Sequence, residues 1–113
     1  MKKDPKERQE LLPGTLDLLI LRTLRHEARH GYGIAQHLRI CSQEVLQVGE
    51  GSLYPALQRM RAKGWITGDW RKSETGRRAR FYQLTPSGLE HLERALKSYR
   101  DMTAAITRIL EAT

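Results

Sequence analysis

Apolar residues recur along this chain first at the spacing of helices, then of strands, then of one long helix again. Leu16, Leu19, Ile20, Thr23 and Leu24 share one helical face and predict a helix over 16–27. Pro13-Gly14 interrupts the chain before it, and Thr15 is placed to cap it by accepting from the free N–H groups of its first turn. Gly31-Tyr32-Gly33 reads as a turn into a second helix over 32–41, with Ile34, Ala35 and Leu38 inward, and Val45 to Val48 is a candidate short strand. Gly51-Ser52 opens a third helix over 52–63, with Ser52 as its cap and Pro55 in the first turn, where a missing N–H costs nothing. Leu53, Leu57, Met60 and Gly64 fall in one arc with Ala56 beside it, so this arc is the buried face; Gly64 ends the helix.

The period then changes. Trp65–Arg71 mixes β-branched and aromatic residues at alternating positions and reads as a strand. Lys72–Ala79 has no large apolar residue and reads as a turn, and Arg80–Leu84 as a second strand, so the two make a hairpin with a basic tip. Thr85-Pro86 is a strong helix start, with Thr as cap and Pro as first helical residue. The predicted fold is mainly α (α+β): a winged helix-turn-helix domain with an N-terminal arm over 1–84, then a long C-terminal dimerisation helix over 85–113.

In that last helix Leu89, Leu92, Leu96, Tyr99, Thr103, Ile106 and Leu110 step alternately by three and four, a heptad-like seam with soft positions at Tyr99 and Thr103. A helix of about 27 residues spans roughly 40 Å at ~1.5 Å per residue, more than the width of so small a domain. Part of its apolar stripe should leave the body and need a partner, which points to a homodimer. The plainer reading folds this helix back over the first one, with Leu11 and Leu12 sharing the task.

Composition narrows the function. The 113 residues suit one domain, and 39% hydrophobic with 29% charged residues is too apolar for disorder and too polar for a membrane protein. No apolar run is long enough to span a bilayer, and Met1-Lys2-Lys3-Asp4 lacks a signal core, so a cytoplasmic protein with no membrane partner is expected. A single cysteine, Cys41, fits a reducing compartment. Residues 1–10 are mostly charged and read as an arm or a short extra helix. Net charge is +7, and its distribution is uneven: residues 1–50 carry +1, residues 51–84 carry +6 and residues 85–113 are neutral. A basic patch confined to the third helix and hairpin is the footprint of a polyanion partner, unless it is only a solubilising surface.

Four segments carry a family resemblance: His30-Gly31-Tyr32-Gly33-Ile34; Gly51-Ser52-Leu53-Tyr54-Pro55-Ala56-Leu57; Lys63-Gly64-Trp65-Ile66; and Gly76-Arg77-Arg78-Ala79-Arg80-Phe81-Tyr82-Gln83-Leu84-Thr85-Pro86-Ser87-Gly88. In this order and spacing the chain resembles the PadR family of transcriptional regulators, of the short type with a single C-terminal helix, over roughly residues 11–95. Ala79 within the basic run is a small departure. The resemblance implies a dimeric, DNA-binding and usually repressing regulator, and names no promoter or signal.

In a helix-turn-helix the third helix enters the major groove. The candidate DNA-binding residues on it are Ser52, Tyr54, Pro55, Gln58, Arg59 and Lys63. Gln58 can bond adenine and Arg59 guanine, while the Ser52 and Tyr54 hydroxyls suit phosphate oxygens. Alternatively, Tyr54 packs on the wing and Arg59 is a solvated charge. The wing adds Lys72, Arg77, Arg78 and Arg80; strand alternation keeps all four from facing DNA together, and Arg77 and Arg78 at the tip come first. Two such domains predict double-stranded DNA with a pseudo-palindromic operator.

Other chemistry is sparse. His26 with His30, and His37 with Cys41, stand four apart, a helical spacing that can chelate a metal, but no third ligand is legible and no metal or cofactor is expected. Cys41 as a redox sensor is the weaker reading beside an idle thiol. No nucleophile–base set, phosphate loop or dinucleotide fingerprint is present, so no enzyme is expected. The alternative class is a small-molecule sensor. Some members of the resembled family bind planar aromatic effectors between the last helices, and Tyr99 is the candidate contact. A pure protein-interaction module using the exposed seam is the third reading.

Overall fold

The first helix, α1 (Thr15–His26), starts from Gly14, whose φ of 83° lies in the left-handed region. The computed structural model describes residues 14–112, so the N-terminal arm, Leu11, Leu12 and Pro13 lie outside the described residues. Thr15 is not the cap. Gly14 takes a turn conformation that a threonine resists, so Thr15 becomes the first helical residue and makes no capping bond. The polar Thr23 inside the apolar face is satisfied locally, its Oγ1 donating to the Leu19 carbonyl at 2.8 Å.

A two-residue strand, β1 (Arg29–His30), leads into α2 (Gly31–Cys41). The helix begins at Gly31 itself, because His30 caps it: its Nδ1 accepts from the Gly33 N–H at 2.9 Å. No strand forms over 45–48. Gln43 and Glu44 adopt positive φ and curl the chain back on the end of α2, where the Glu44 N–H meets the Arg39 carbonyl and Ser42 Oγ catches the Leu46 N–H. The segment therefore offers no extended edge to a partner strand.

The third helix, α3 (Glu50–Ala62), starts two residues before Ser52. Gly49 is the cap residue, and its carbonyl accepts from Ser52 and Leu53. Pro55 thus sits in the second turn and denies Gly51 its i+4 partner. Leu53, Ala56, Leu57 and Met60 are buried as the periodicity demands. The helix closes with paired bonds from Gly64 to Arg61 and from Trp65 to Met60, with Gly64 at φ 76°.

The wing is β2 (Ile66–Lys72) and β3 (Arg78–Leu84), in antiparallel register from Ile66↔Leu84 to Lys72↔Arg78. Both strands run further into the basic segment than sequence alternation indicates, leaving residues 73–77 as the turn. Gly76 at φ 84° and the Ser73 N–H to Arg77 carbonyl bond close that turn. The strand order β1-β3-β2 adds a strand that the sequence reading lacks. Arg29 and His30 pair with Tyr82 and Phe81, and two residues are too few to show a period.

The last helix, α4 (Pro86–Glu111), is capped by Thr85 as expected, its Oγ1 accepting from the Gly88 N–H at 3.0 Å. One core joins all four helices and the wing: Ile20, Leu21, Ile34, Leu53, Leu57, Met60 and Leu92 are fully buried. Helix α4 has two parts. Leu89, Leu92, Ala95 and Leu96 pack on that core beside α1, whereas Tyr99, Met102, Ile106, Ile109 and Leu110 are exposed. The seam is therefore not one dimer surface. Leu92, at 0% exposure, is spent inside its own chain, and Leu89 and Leu96 are half covered by it.

Candidate nucleic-acid interface

Helix periodicity separates the exposed residues of α3 into two flanks around a ridge formed by Gly51, Pro55 and Ala62. One flank carries Tyr54, Gln58 and Arg61. Gln58, Arg61 and Ala62 line the groove between α3 and the start of β2, where they meet Ile66, Thr67 and Gly68. Arg61 donates to Gln58 Oε1 at 3.0 Å, which leaves the amide N–H groups of Gln58 for a ligand. Arg61 is absent from the residues singled out in the sequence, because its position beside Gln58 and the wing is a tertiary fact. Tyr54 lies over Gly31 of α2: a Cβ at Gly31 would sit 3.1 Å from its hydroxyl oxygen.

The other flank carries Ser52, Arg59 and Lys63. Ser52 is exposed, but Arg59 and Lys63 are engaged within the chain. Arg59 Nη2 donates to Asp17 Oδ1 of α1 at 2.6 Å, and Lys63 Nζ stands 4.6 Å from the centre of the Trp65 ring. Half-exposed pairs of this kind add little stability, at most about 1 kcal/mol. Their effect is positional: Arg59 is turned toward α1 and away from Gln58.

The wing has two chemically distinct faces. Alternation puts Ile66, Gly68, Trp70 and Lys72 of β2 with Arg78, Arg80, Tyr82 and Leu84 of β3. At its base this face is the buried one, through Ile66 and Tyr82, so it is the face turned to α3. Burial there pushes the Tyr82 hydroxyl above its ordinary value. Toward the tip the same face presents Lys72, Arg78 and Arg80 with no carboxylate among them. The opposite face holds Asp69, Arg71, Phe81 and Gln83. There Arg71 lies 3.8 Å from Asp69, bonds Gln83 and stacks over Phe81. Three of the four expected wing cations thus share one face, and Arg77 lies in the turn beyond it.

The start of α4 is stitched to the end of α3. Thr85 donates through Oγ1 to the Gly64 carbonyl at 2.6 Å, and its N–H donates to the Trp65 carbonyl at 3.0 Å. The Trp65 backbone also presses directly on Gly88. His91 stacks on the Trp65 ring at 3.7 Å between centroids, 12° from parallel. Burial first, then the Arg94 and Lys63 charges, hold the His91 imidazole below its ordinary value, with Asp17 acting the other way. The unfolded chain therefore binds this proton at higher pH than the folded one. The corresponding stability is complete above the ordinary imidazole value near 6.5 and is lost as pH falls from there through the lowered value. His37 is shifted in the same direction, by burial and then Arg29. Thermal melts should show the midpoint falling on acidification from about pH 7.5 to about pH 5. His91→Phe, which keeps a ring on Trp65, should shrink that fall; an identical fall in both proteins would refute the assignment.

The remaining titratable pairs do not assemble a centre. His30 is a helix cap, and Cys41 Sγ lies 3.6 Å and 3.7 Å from the two ring nitrogens of His37 on the exposed side of α2. Among the described residues no group of three or more His, Cys, Asp or Glu side chains could hold a metal ion. Among them, too, no helix is long and apolar enough to cross a membrane.

Comparison with known proteins places this geometry. Residues 20–94 match the family described as transcriptional regulator PadR-like. The structure is similar to that of a PadR-like transcriptional regulator from Bacillus cereus, with TM-score 0.80 and 30% identity, covering 93% of this chain and 100% of that one. It is similar as well to a PadR family transcription regulator from Clostridium difficile, with TM-score 0.75 and 30% identity over 86% of this chain and 99% of the other. A transcriptional regulator from Clostridium thermocellum matches at TM-score 0.79 and 26% identity, over 87% and 95%. An uncharacterized protein X of Lysinibacillus sphaericus is 27% identical over 92% of this chain and 95% of its own length. The shared architecture is the winged helix followed by one long helix, and the chain belongs to the PadR-like family of transcriptional regulators, which bind DNA.

Proposed function

We propose that the protein is a cytoplasmic repressor that binds a pseudo-palindromic operator as a homodimer. In this reading residues 1–84 carry the DNA contact and residues 85–113 the pairing. Helix α3 lies in the major groove with its Gln58 flank and its Gly51–Pro55–Ala62 ridge toward the bases, and the wing cations lie on the adjacent backbone or minor groove. Ser52 and Tyr54 contact phosphate. Arg59 reaches a guanine only by leaving Asp17, and otherwise anchors α3 to α1. The second copy covers the exposed half of α4 through Tyr99, Met102, Ile106 and Leu110, whose spacing continues one helical stripe. The observation that carries the proposal is a single face shared by the Gln58 flank of α3 and by Lys72, Arg78 and Arg80.

Selection of bound duplexes from a random pool tests it. The expected result is a palindromic motif with half-sites about one helical turn apart. Gln58→Ala should change the bases preferred within each half-site; a fall in affinity with the motif unchanged would make Gln58 a backbone contact. A salt-sensitive smear without a motif would refute the operator reading. Tyr99 favours a second function beside the first: it is half exposed on the unpaired stripe, where a planar aromatic effector could stack between two copies of α4 and release the DNA.

A further inference from the structure

Trp70 is 60% exposed, on a two-stranded ribbon, on the face of the wing turned toward α3. Among the described residues no apolar side chain is packed over it. Its neighbours are two guanidinium groups: Arg80, directly opposite in the register, lies 5.9 Å from the ring centre and Arg78 lies 5.8 Å from it. Both distances are within the range of cation–π attraction. A further feature keeps Arg80 close to the ribbon. Gly68, two residues before Trp70 on the same face, leaves the space its stem occupies, since a Cβ there would stand 2.8 Å from Arg80 Nε. That nitrogen is buried and has no hydrogen-bond partner among the described residues. The glycine and the indole together restrict Arg80, and the indole also attracts the exposed Arg78, two guanidinium groups that a bare ribbon would leave to sweep through solvent.

We infer that Trp70 is a specificity-determining residue, which aims Arg78 and Arg80 into the minor groove beside each half-site and selects A·T pairs there. This rests on the reading that α3 occupies the major groove. The physical basis is twofold. A·T tracts have a narrow minor groove whose enhanced negative potential attracts arginine. A G·C pair places the guanine 2-amino group on the groove floor, where it obstructs a cation and bonds no guanidinium. A guanidinium already held near the indole loses less freedom on entering the groove than a free one. Phosphate contact alone would need neither the indole nor the glycine, because flexible lysines supply it equally well.

The experiment uses the operator selected by the full-length protein, with the base pairs under the wing changed to A·T, G·C or inosine·C. Inosine removes only the 2-amino group and leaves the major groove of the pair as in G·C. Wild type should bind the A·T and inosine·C duplexes about tenfold more tightly than the G·C duplex. Trp70→Ala should bring the ratio close to one. Trp70→Phe should retain part of it, and Arg71→Ala, on the opposite face of the wing, should leave it whole. If wild type treats inosine·C like G·C, the wing lies on phosphates; if Trp70→Ala keeps the full ratio, the arginines select without the indole; in either case the inference falls while the operator reading stands. If wild type selects no motif at all, the operator reading fails first and takes this inference with it.

Discussion

Gly88→Ala should lower the thermal midpoint by about 10 °C. Alanine ordinarily favours a helix over glycine by about 1 kcal/mol, so propensity alone predicts a gain. Sterics reverse the sign. A Cβ at position 88 would occupy the place of the Trp65 carbonyl oxygen, with the Trp65 carbonyl carbon 2.8 Å away and Leu84 Cδ1 2.9 Å away. The obstruction is backbone, which no rotamer change relieves. Helix α4 must lift from the α3–β2 turn and strain the bonds of Thr85 to Gly64 and to Trp65. Overpacking and the weakened bonds together cost about 3 kcal/mol, which leaves about 2 kcal/mol net, and a domain of this size loses roughly 4–8 °C for each 1 kcal/mol. Gly51→Ala is the internal control, because no atom lies within 4 Å of a Cβ built there. It should leave the midpoint unchanged or raise it. Circular dichroism melts decide the matter, and a Gly88→Ala midpoint at or above wild type would show that the junction yields without cost.

The combined substitution of Lys72, Arg78 and Arg80 by alanine should reduce affinity for every duplex by a factor of a thousand or more at low salt, a magnitude typical of withdrawing about six positive charges per dimer from the duplex. The slope of log affinity against log salt should become shallower by about 5, at ~0.9 per phosphate no longer neutralised. Stability should change little, since Lys72 and Arg78 are exposed, Arg80 is half-buried, and among the described residues none of the three forms a salt bridge. Arg77→Ala should produce a smaller change, as Arg77 stands outside the shared face. An unchanged salt slope in the triple variant, measured by titration at several salt concentrations, would remove the wing from the interface.

The two variants probe parts of the molecule that differ in how readily the sequence discloses them. Thr85-Pro86 announces the start of α4, and the Leu53, Leu57 and Met60 arc announces the buried face of α3, because each signal is local and has one physical cause. Ser52 as cap, Thr15 as cap and the strand at 45–48 fail for the opposite reason. In each case a neighbouring glycine or left-handed turn supplies the backbone geometry first, and nothing in the type of the failed residue reveals it. The role of Gly88 is equally silent in sequence, since it reads as a helix position of low propensity until Trp65 is laid against it.

The candidate interface divides in the same way. Charge counting locates +6 within residues 51–84, and alternation states that neighbouring wing cations cannot share a face. Only the register decides which ones do. Pairing Lys72 with Arg78 unites three cations and Trp70 beside α3, and sets Asp69 with Arg71 on the far side. Arg59 and Gln58 are adjacent in sequence and equally suited to bases, yet Asp17, forty-two positions earlier, turns Arg59 away.

The family, the order of the four helices and the hairpin, the location of the positive charge and the amphipathic stripe of the last helix were all legible before folding. These depend on residue type and on spacing within one element. Which half of that stripe is consumed by the chain's own core, which cations share a face, and where α4 locks to the end of α3 emerge only from the folded chain. Those outcomes arise from contacts between residues far apart in the chain, where packing and register, rather than local preference, select among side chains of equal chemistry.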